Sequence, residues 1–395
     1  DSYDREAWSP AHAFERVRKQ VTTPDEAKRL GLLGRDLADV DKRIAAVLNH
    51  GTYILGPEVK ELEAALAERC GATHVISCSS GTDALILALL GLGLRPGQGV
   101  IVPSFTFAAS AEAMAVLGSL PVFAEVDAAT YNLDADGLPA ALAAANAQNI
   151  EVVGIMCVGL FGQPADITRI SAFADTHGLW VLDDAAQSFG GTWKGQQAGT
   201  LGRVTATSFF PAKPLGCYGD GGAVLTDDDN IAEIAISCRV HGQGRDKYEN
   251  ERIGMTARLD TIQAAILLSK LSIFDDELAA RQQVADRYQS LLGGKITTPP
   301  LAQDATSSWA QYVIQLPDGT DRQAVQSRMG AKDIPTAVYY PRPMHTQPPY
   351  LRYPVAEGGL SVTERLAGSV LALPMHPYLT PEQQEQVADA LMSSL

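Results

Sequence analysis

Between residues 74 and 226, short apolar runs alternate with helical stretches, and this rhythm restricts the possible folds more than any other feature of the chain. His74–Ser77, Val100–Val102, Pro121–Ala124, Val152–Val158, Leu179–Leu182, Ala206–Phe210 and Ala223–Thr226 read as strands. Asp83–Leu90, Ala108–Leu117 and Ile167–His177 lie between the earlier ones with helical spacing. Strands joined through helices run parallel, because each crossover returns the chain to the edge it left. Continuous apolar runs, rather than alternating ones, mark strands covered on both faces. The expectation is therefore an α/β fold with a mostly parallel central sheet and helices on both sides. In such sheets ligands sit just beyond the carboxyl ends of the strands.

Before this region, LADVDKRIAAVL has helical spacing, and Gly56-Pro57 opens a further helix that Gly71 closes. After Arg258 the segment LDTIQAAILLSKLSIFDDELAARQQVADRYQSLL predicts one long helix or two joined ones. Proline-rich turns and short strand-like runs follow, which predicts a smaller α+β domain. The organisation read from this is residues 1–35 as an extension of unassigned role, 36–284 as a large domain and 285–395 as a small C-terminal domain.

The segments after four of the strands carry the chemistry. Ser79-Ser80-Gly81-Thr82-Asp83 leads into an apolar helix, so Ser80, Gly81 and Thr82 can offer backbone N–H groups and a helix dipole to a phosphate. A plain capping turn is the commoner meaning of that segment alone. Phe107, in Pro103-Ser104-Phe105-Thr106-Phe107, can stack on a planar ring, though a lone aromatic is more often core. Asp183-Asp184 ends a buried strand, where two like charges are unfavourable unless a positive group is near. A protonated pyridine nitrogen is such a group, and a helix N-cap is the alternative. Side chains alternate along a strand, so one of the two points into a site. Lys213 sits in SFFPAKPLGCYGDGG, with no acidic neighbour before Asp220. Lysine is seldom buried unpaired, and desolvation raises the free-amine fraction that carbonyl condensation needs.

SSGTDAL, PSFTF, LDDAAQSFGG, SFFPAKPLGCYGDGGAV, GMTARLDTIQAAIL and YYPRPMHTQPPY together resemble the sugar-nucleotide aminotransferases of the DegT/StrS type, from about Asp36 to the C-terminus. The resemblance implies a fold-type I enzyme dependent on pyridoxal 5′-phosphate (PLP), usually a homodimer with both sites at the interface. It implies Lys213 as the Schiff-base lysine and Asp184 as the partner of the ring nitrogen. Gln187 would lie near the ring hydroxyl and Phe107 against the ring face, with Gly81, Thr82 and Ser208 on the phosphate. Thr256 stands where the family usually has an Asn that reaches the phosphate from the partner subunit; its side chain is shorter but still a donor. Arg258 and His345 match positions that commonly face the substrate. The implied reaction converts a nucleotide-linked keto sugar to an amino sugar with glutamate as amino donor. The stretch HGQGRDKYENERIGMTARLD leans toward the 3-keto group of a UDP-linked 2-acetamido uronic acid for bacterial surface polysaccharide.

Composition narrows the alternatives. A formal net charge of −15 disfavours binding to nucleic acid or an anionic membrane. Five cysteines without a C-x-x-C pair predict neither a disulfide framework nor a zinc site and fit a reducing cytoplasm. No run of ~20 apolar residues is present to span a bilayer, and the first twenty residues lack the apolar core of a signal peptide. A nicotinamide dehydrogenase would want G-x-G-x-x-G after an early strand, where SSGTDAL stands instead. Related sugar dehydratases typically replace the lysine by His, so Lys213 argues against one. Aminotransfer to a keto-cyclitol or an aromatic precursor stays open, as does a non-catalytic PLP-binding regulator.

Overall fold

The structure is a computed structural model that describes residues 37–246 and 248–395. The expected extension, residues 1–35, lies outside the described residues. The chain enters through α1 (Leu37–His50) and α2 (Pro57–Cys70). As the sequence predicts, α2 has Pro57 in its first turn and stops where Gly71 takes the left-handed φ of 72°.

The central region then runs β1 (His74–Cys78), α3 (Gly81–Gly91), β2 (Gly99–Pro103), α4 (Ala108–Val116), β3 (Leu120–Ala124), α5 (Leu138–Ala147), β4 (Val152–Val158), α6 (Ile167–His177) and β5 (Trp180–Asp184). Two short strands, β6 (Thr192–Trp193) and β7 (Gln196–Gln197), precede β8 (Val204–Ser208), β9 (Gly222–Thr226) and α7 (Asp229–Cys238). A seven-stranded sheet forms in the order β1-β9-β8-β5-β4-β2-β3. Every pairing from β8 through to β3 is parallel, while β9 lies antiparallel to both β8 and β1. β9 alone is reversed, because a loop rather than a helix joins it to β8.

Alternation along the strands feeds two cores. Ile76, Cys78 and Val224 pack with residues of α3 to α7 on one face. Val75, Ala223 and Leu225 pack on the other with Leu62 and Leu66 of α2 and with Leu267 of α8 (Thr261–Leu271). Both faces are thus covered, which explains the uninterrupted apolar runs. α3 is apolar all round and buried from Ala84 to Leu89, so its first turn is held rigidly against the sheet.

The long helical segment divides into α8 and α9 (Phe274–Leu292). Phe274 belongs to the core under the large sheet, whereas Val284, Tyr288 and Leu292 belong to a further core. That core is completed by an antiparallel pair, β11 (Tyr312–Gln315) with β12 (Val370–Leu373), and by Val325 of α10 (Arg322–Gly330) and Val387 of α12 (Pro381–Met392). α11 (Ser361–Ser369) leads into β12, and β10 (Ala305–Thr306) pairs with β6. α9 runs unbroken through residue 285 and joins the two regions.

Two strands differ from their expected bounds by two residues at an end, the others by one at most. The run expected at Ala206–Phe210 is a strand over Val204–Ser208. Phe209 is apolar because it is buried in the core beside α2, not because it continues the sheet, and Phe210 is exposed. The run expected at Leu179–Leu182 extends to Asp184, so both carboxylates belong to the strand itself.

Candidate active site

The carboxyl ends of β1, β5 and β8 meet the amino end of β9 at one edge of the sheet, where Ser80, Gly81, Thr82, Asp184 and Ser208 lie, with Lys213 in the loop beyond β8. Ser80 caps α3, its hydroxyl accepting the Asp83 N–H at 3.0 Å. The first turn of α3 sits directly on the ends of β8 and β9. A methyl group on Gly81 would lie 2.6 Å from Cβ of Ser208, and one on Gly222 would lie 2.4 Å from the Ser80 carbonyl oxygen and 2.8 Å from the Gly81 nitrogen. Ser208 and Gly222 face each other across the β8–β9 ladder. The glycines therefore let helix and strands approach closely enough to place Gly81, Thr82 and Ser208 around one spot at the positive end of a helix. That spot is suited to a phosphate.

Asp183 and Asp184 are both buried, as the strand pattern requires. Ser110 donates its hydroxyl proton to Oδ2 of Asp184 at 2.9 Å, and the Ala186 N–H donates to Oδ1 at 3.1 Å. Burial holds the pKa of Asp184 above the ordinary aspartate value, and these two donors together with nearby Lys213 oppose the shift. Asp183 has no such help. Its Oδ2 has no hydrogen-bond partner among the described residues, and Oδ1 has only the Cys157 thiol at 3.8 Å. Burial first, and the neighbouring Asp184 second, push the Asp183 carboxyl up to about 7. Of the two, Asp184 is the one whose surroundings favour the charged form.

Lys213 follows β8 in the loop that returns as β9. Its N–H donates to the Phe210 carbonyl at 2.8 Å, which folds the loop back on itself. No hydrogen bond or ion pair reaches its amine among the described residues. Burial lowers the amine pKa and Asp184 opposes the shift, so the two groups sense one another across the site. A lysine held this way keeps a larger neutral, nucleophilic fraction.

Gln187 accepts the Phe161 N–H at 2.7 Å through Oε1 and donates through Nε2 to the Tyr340 hydroxyl at 3.1 Å. Phe107 stands at the start of α4, 55% exposed, its ring 6.1 Å from that of Tyr340. An aromatic left open beside buried carboxylates offers a face to a planar ligand. The other predicted residues are placed differently. Thr256 is exposed, and its hydroxyl meets Nε2 of His241 at 2.8 Å rather than any group above. Arg258 follows Ala257, whose carbonyl accepts the Ser79 N–H at 3.2 Å, so it borders the helix cradle; its buried Nε has no partner among the described residues. His345 is pinned at both ring nitrogens, by Ser104 at 2.7 Å and by Glu364 at 3.2 Å.

Ser110 and Tyr340 escaped the sequence reading. Ser110 lies one helical turn beyond Phe107, and a serine buried on an apolar helix calls for a polar partner. Tyr340 stands within the YYPRP run, and nothing in its local pattern points to Gln187.

The model of the DegT/DnrJ/EryC1/StrS aminotransferase family matches residues 36–392. The chain belongs to this family. The DegT/DnrJ/EryC1/StrS members it resembles include the UDP-2-acetamido-2-deoxy-3-oxo-D-glucuronate aminotransferase of Pseudomonas aeruginosa, 45% identical over 89% of this chain and 95% of that protein. A DegT/DnrJ/EryC1/StrS aminotransferase from Brucella abortus has a structure that superposes with a TM-score of 0.89 at 43% identity, covering 95% of this chain and 98% of the other. NtdA from Bacillus subtilis, with bound cofactor PMP, superposes with a TM-score of 0.83 at 30% identity over 92% of this chain and 83% of that one. The family consists of PLP-dependent transaminases, and the chain is an aminotransferase with the expected fold-type I architecture. The residues fit such a cofactor: a glycine-lined cradle at a helix end, one buried carboxylate with donors on both oxygens, and an amine without a hydrogen-bond partner among the described residues.

Proposed function

We propose that the chain transfers the amino group of glutamate to the keto group of a nucleotide-linked sugar, with PLP held at Lys213. The substrate class we favour is the 3-keto form of a UDP-linked 2-acetamido uronic acid, and the product would serve bacterial surface polysaccharide. The Pseudomonas aeruginosa relative, a UDP-2-acetamido-2-deoxy-3-oxo-D-glucuronate aminotransferase, supports this choice. We take residues 36–284 as the cofactor-binding domain and 285–395 as the small domain, in a homodimer.

The observation that carries the reading is the facing of a depressed lysine and a buried, donor-supported aspartate at the sheet edge. PLP, when bound, supplies an aldehyde that condenses with amines and a ring that accepts electron density. Gly81, Thr82 and Ser208 would hold its phosphate, with Ser80 fixing the helix start and Thr256 adding a donor from the partner subunit. Phe107 would cover one ring face, and Gln187, anchored by Phe161 and Tyr340, would approach the ring hydroxyl. Asp184 would keep a proton on the ring nitrogen. Its carboxylate is already oriented by Ser110 and Ala186, so little reorganisation is needed. The Lys213 amine, once released, would move a proton between the substrate carbon and C4′ of the cofactor, a task matched to an amine whose pKa is below the usual lysine value. Arg258 and His345 would face the sugar.

Incubation with PLP followed by borohydride should fix the cofactor covalently on the peptide containing Lys213, and Lys213→Ala should abolish both that adduct and turnover. A Lys213→Ala protein with normal transamination would end this reading. Parallel turnover with a UDP-linked 3-keto uronic acid and with keto-cyclitols decides the substrate class.

A further inference from the structure

Beside Lys213 opens a cavity of about 320 Å³. Lys270 at the end of α8, Glu277 and Arg281 on α9, Gln311 and His376 line it together with Lys213. Its charged residues are unusual in their burial: Lys270, Glu277 and Arg281 are 5%, 6% and 7% exposed. Arg281 donates through Nη1 to the Trp309 carbonyl at 3.0 Å, and its buried Nε has no partner among the described residues. Lys270 holds its ammonium over the Tyr218 ring at 5.6 Å. Glu277 accepts the Tyr378 hydroxyl and makes no ion pair with either cation among the described residues. Burial, with Arg281 adding to it, holds His376 down to about 4, so it is neutral. Apart from Lys213, the wall sets Lys270 and Arg281 against one carboxylate, and burial lowers the pKa of both, so each would be stabilised as a cation by an anion that joins it.

We infer that Arg281, assisted by Lys270, receives the side-chain carboxylate of an acidic amino donor whose amino end reaches Lys213 in the same cavity. This assignment rests on the aminotransferase reading above. The cavity lies at the small end of ligand sites, roughly 300–1,000 Å³, which suits a dicarboxylic amino acid better than a nucleotide sugar. A planar guanidinium is the side chain whose paired N–H donors match the two oxygens of a carboxylate.

The test uses the full-length, cofactor-loaded enzyme. Glutarate, a dicarboxylate without an amine, is the binding probe and is expected to raise the wild-type unfolding midpoint in a concentration-dependent way. Arg281→Gln should lose that rise and increase KM for glutamate by roughly 10- to 100-fold, the worth of one charge-assisted contact. KM for the keto sugar and turnover with alanine as donor should hold, and Arg281→Lys should recover part of the glutarate effect. Should Arg281→Gln not fold, Lys270→Met carries the same readouts. An unchanged glutarate response and glutamate KM overturn the inference, as does an effect confined to the sugar. The borohydride adduct at Lys213 is measured alongside: its presence in both proteins leaves the parent reading standing whatever the donor result, and its absence in wild type removes both.

Discussion

Replacing Asp183 by Asn tests the charge arrangement at the sheet edge directly. The Asp183 carboxyl is raised to about 7 by burial and by Asp184, against roughly 4 for an ordinary aspartate. Below pH ~4 the group is protonated in the folded and the unfolded chain alike, and it contributes nothing. As pH rises from about 4 to 7, the unfolded chain releases the proton while the folded chain keeps it, and stability falls. Above pH ~7 the loss levels off on the order of 4 kcal/mol. The Asp183→Asn side chain has no proton to lose, so the stability difference between variant and wild type should grow by about 2 kcal/mol between pH ~5.5 and pH ~8. The amide leaves a donor where Oδ2 has no partner, a penalty of ~1–3 kcal/mol that does not vary with pH. Urea unfolding of both proteins, cofactor-free and at equal concentration, measures the difference at each pH. A difference that stays flat across this range refutes the claim that Asp183 is the protonated member of the pair.

Two more outcomes follow from the cradle and the open ring. Gly222→Ala places a methyl 2.4 Å from the Ser80 carbonyl oxygen, so helix start and strand end must separate; PLP affinity, by absorbance titration, should fall by at least ~10-fold, and unchanged affinity would mean that this edge does not hold the phosphate. Phe107→Ala removes a side chain that is 55% exposed; the cofactor-free protein should keep its stability within ~0.5 kcal/mol, while PLP binding weakens by roughly 10-fold. Equal effects on both would assign Phe107 to folding instead.

The parts of this site carried by contiguous residues were legible in the chain. Ser80 as a cap, the buried carboxylates that close β5 and the lysine beyond β8 each lie near a strand end, which the apolar runs locate to within two residues. What escaped depends on contacts between distant segments. Ser110 meets Asp184 across 74 positions and Gln187 meets Tyr340 across 153, and no local pattern encodes either pair. The two-residue strands β6, β7 and β10 are too short for any period to declare itself. The strand expected at Ala206–Phe210 slipped because hydrophobicity reports burial, and Phe209 is buried outside the sheet. Thr256 bonds His241 within the same chain, a pairing that its place in the GMTAR motif did not suggest.

The loop that carries Lys213 leaves β8 at Ser208 and rejoins the sheet at Gly222, directly opposite. Both its feet stand on a single rung of the ladder, so the loop resembles a handle fixed to one plank. Leu215 and Cys217 of the handle are buried in the core under the sheet, and the Cys217 N–H bonds the Phe209 carbonyl. A residue added or removed between Pro214 and Gly221 would therefore displace packed side chains together with the lysine, so the length of the handle is as constrained as its mounting.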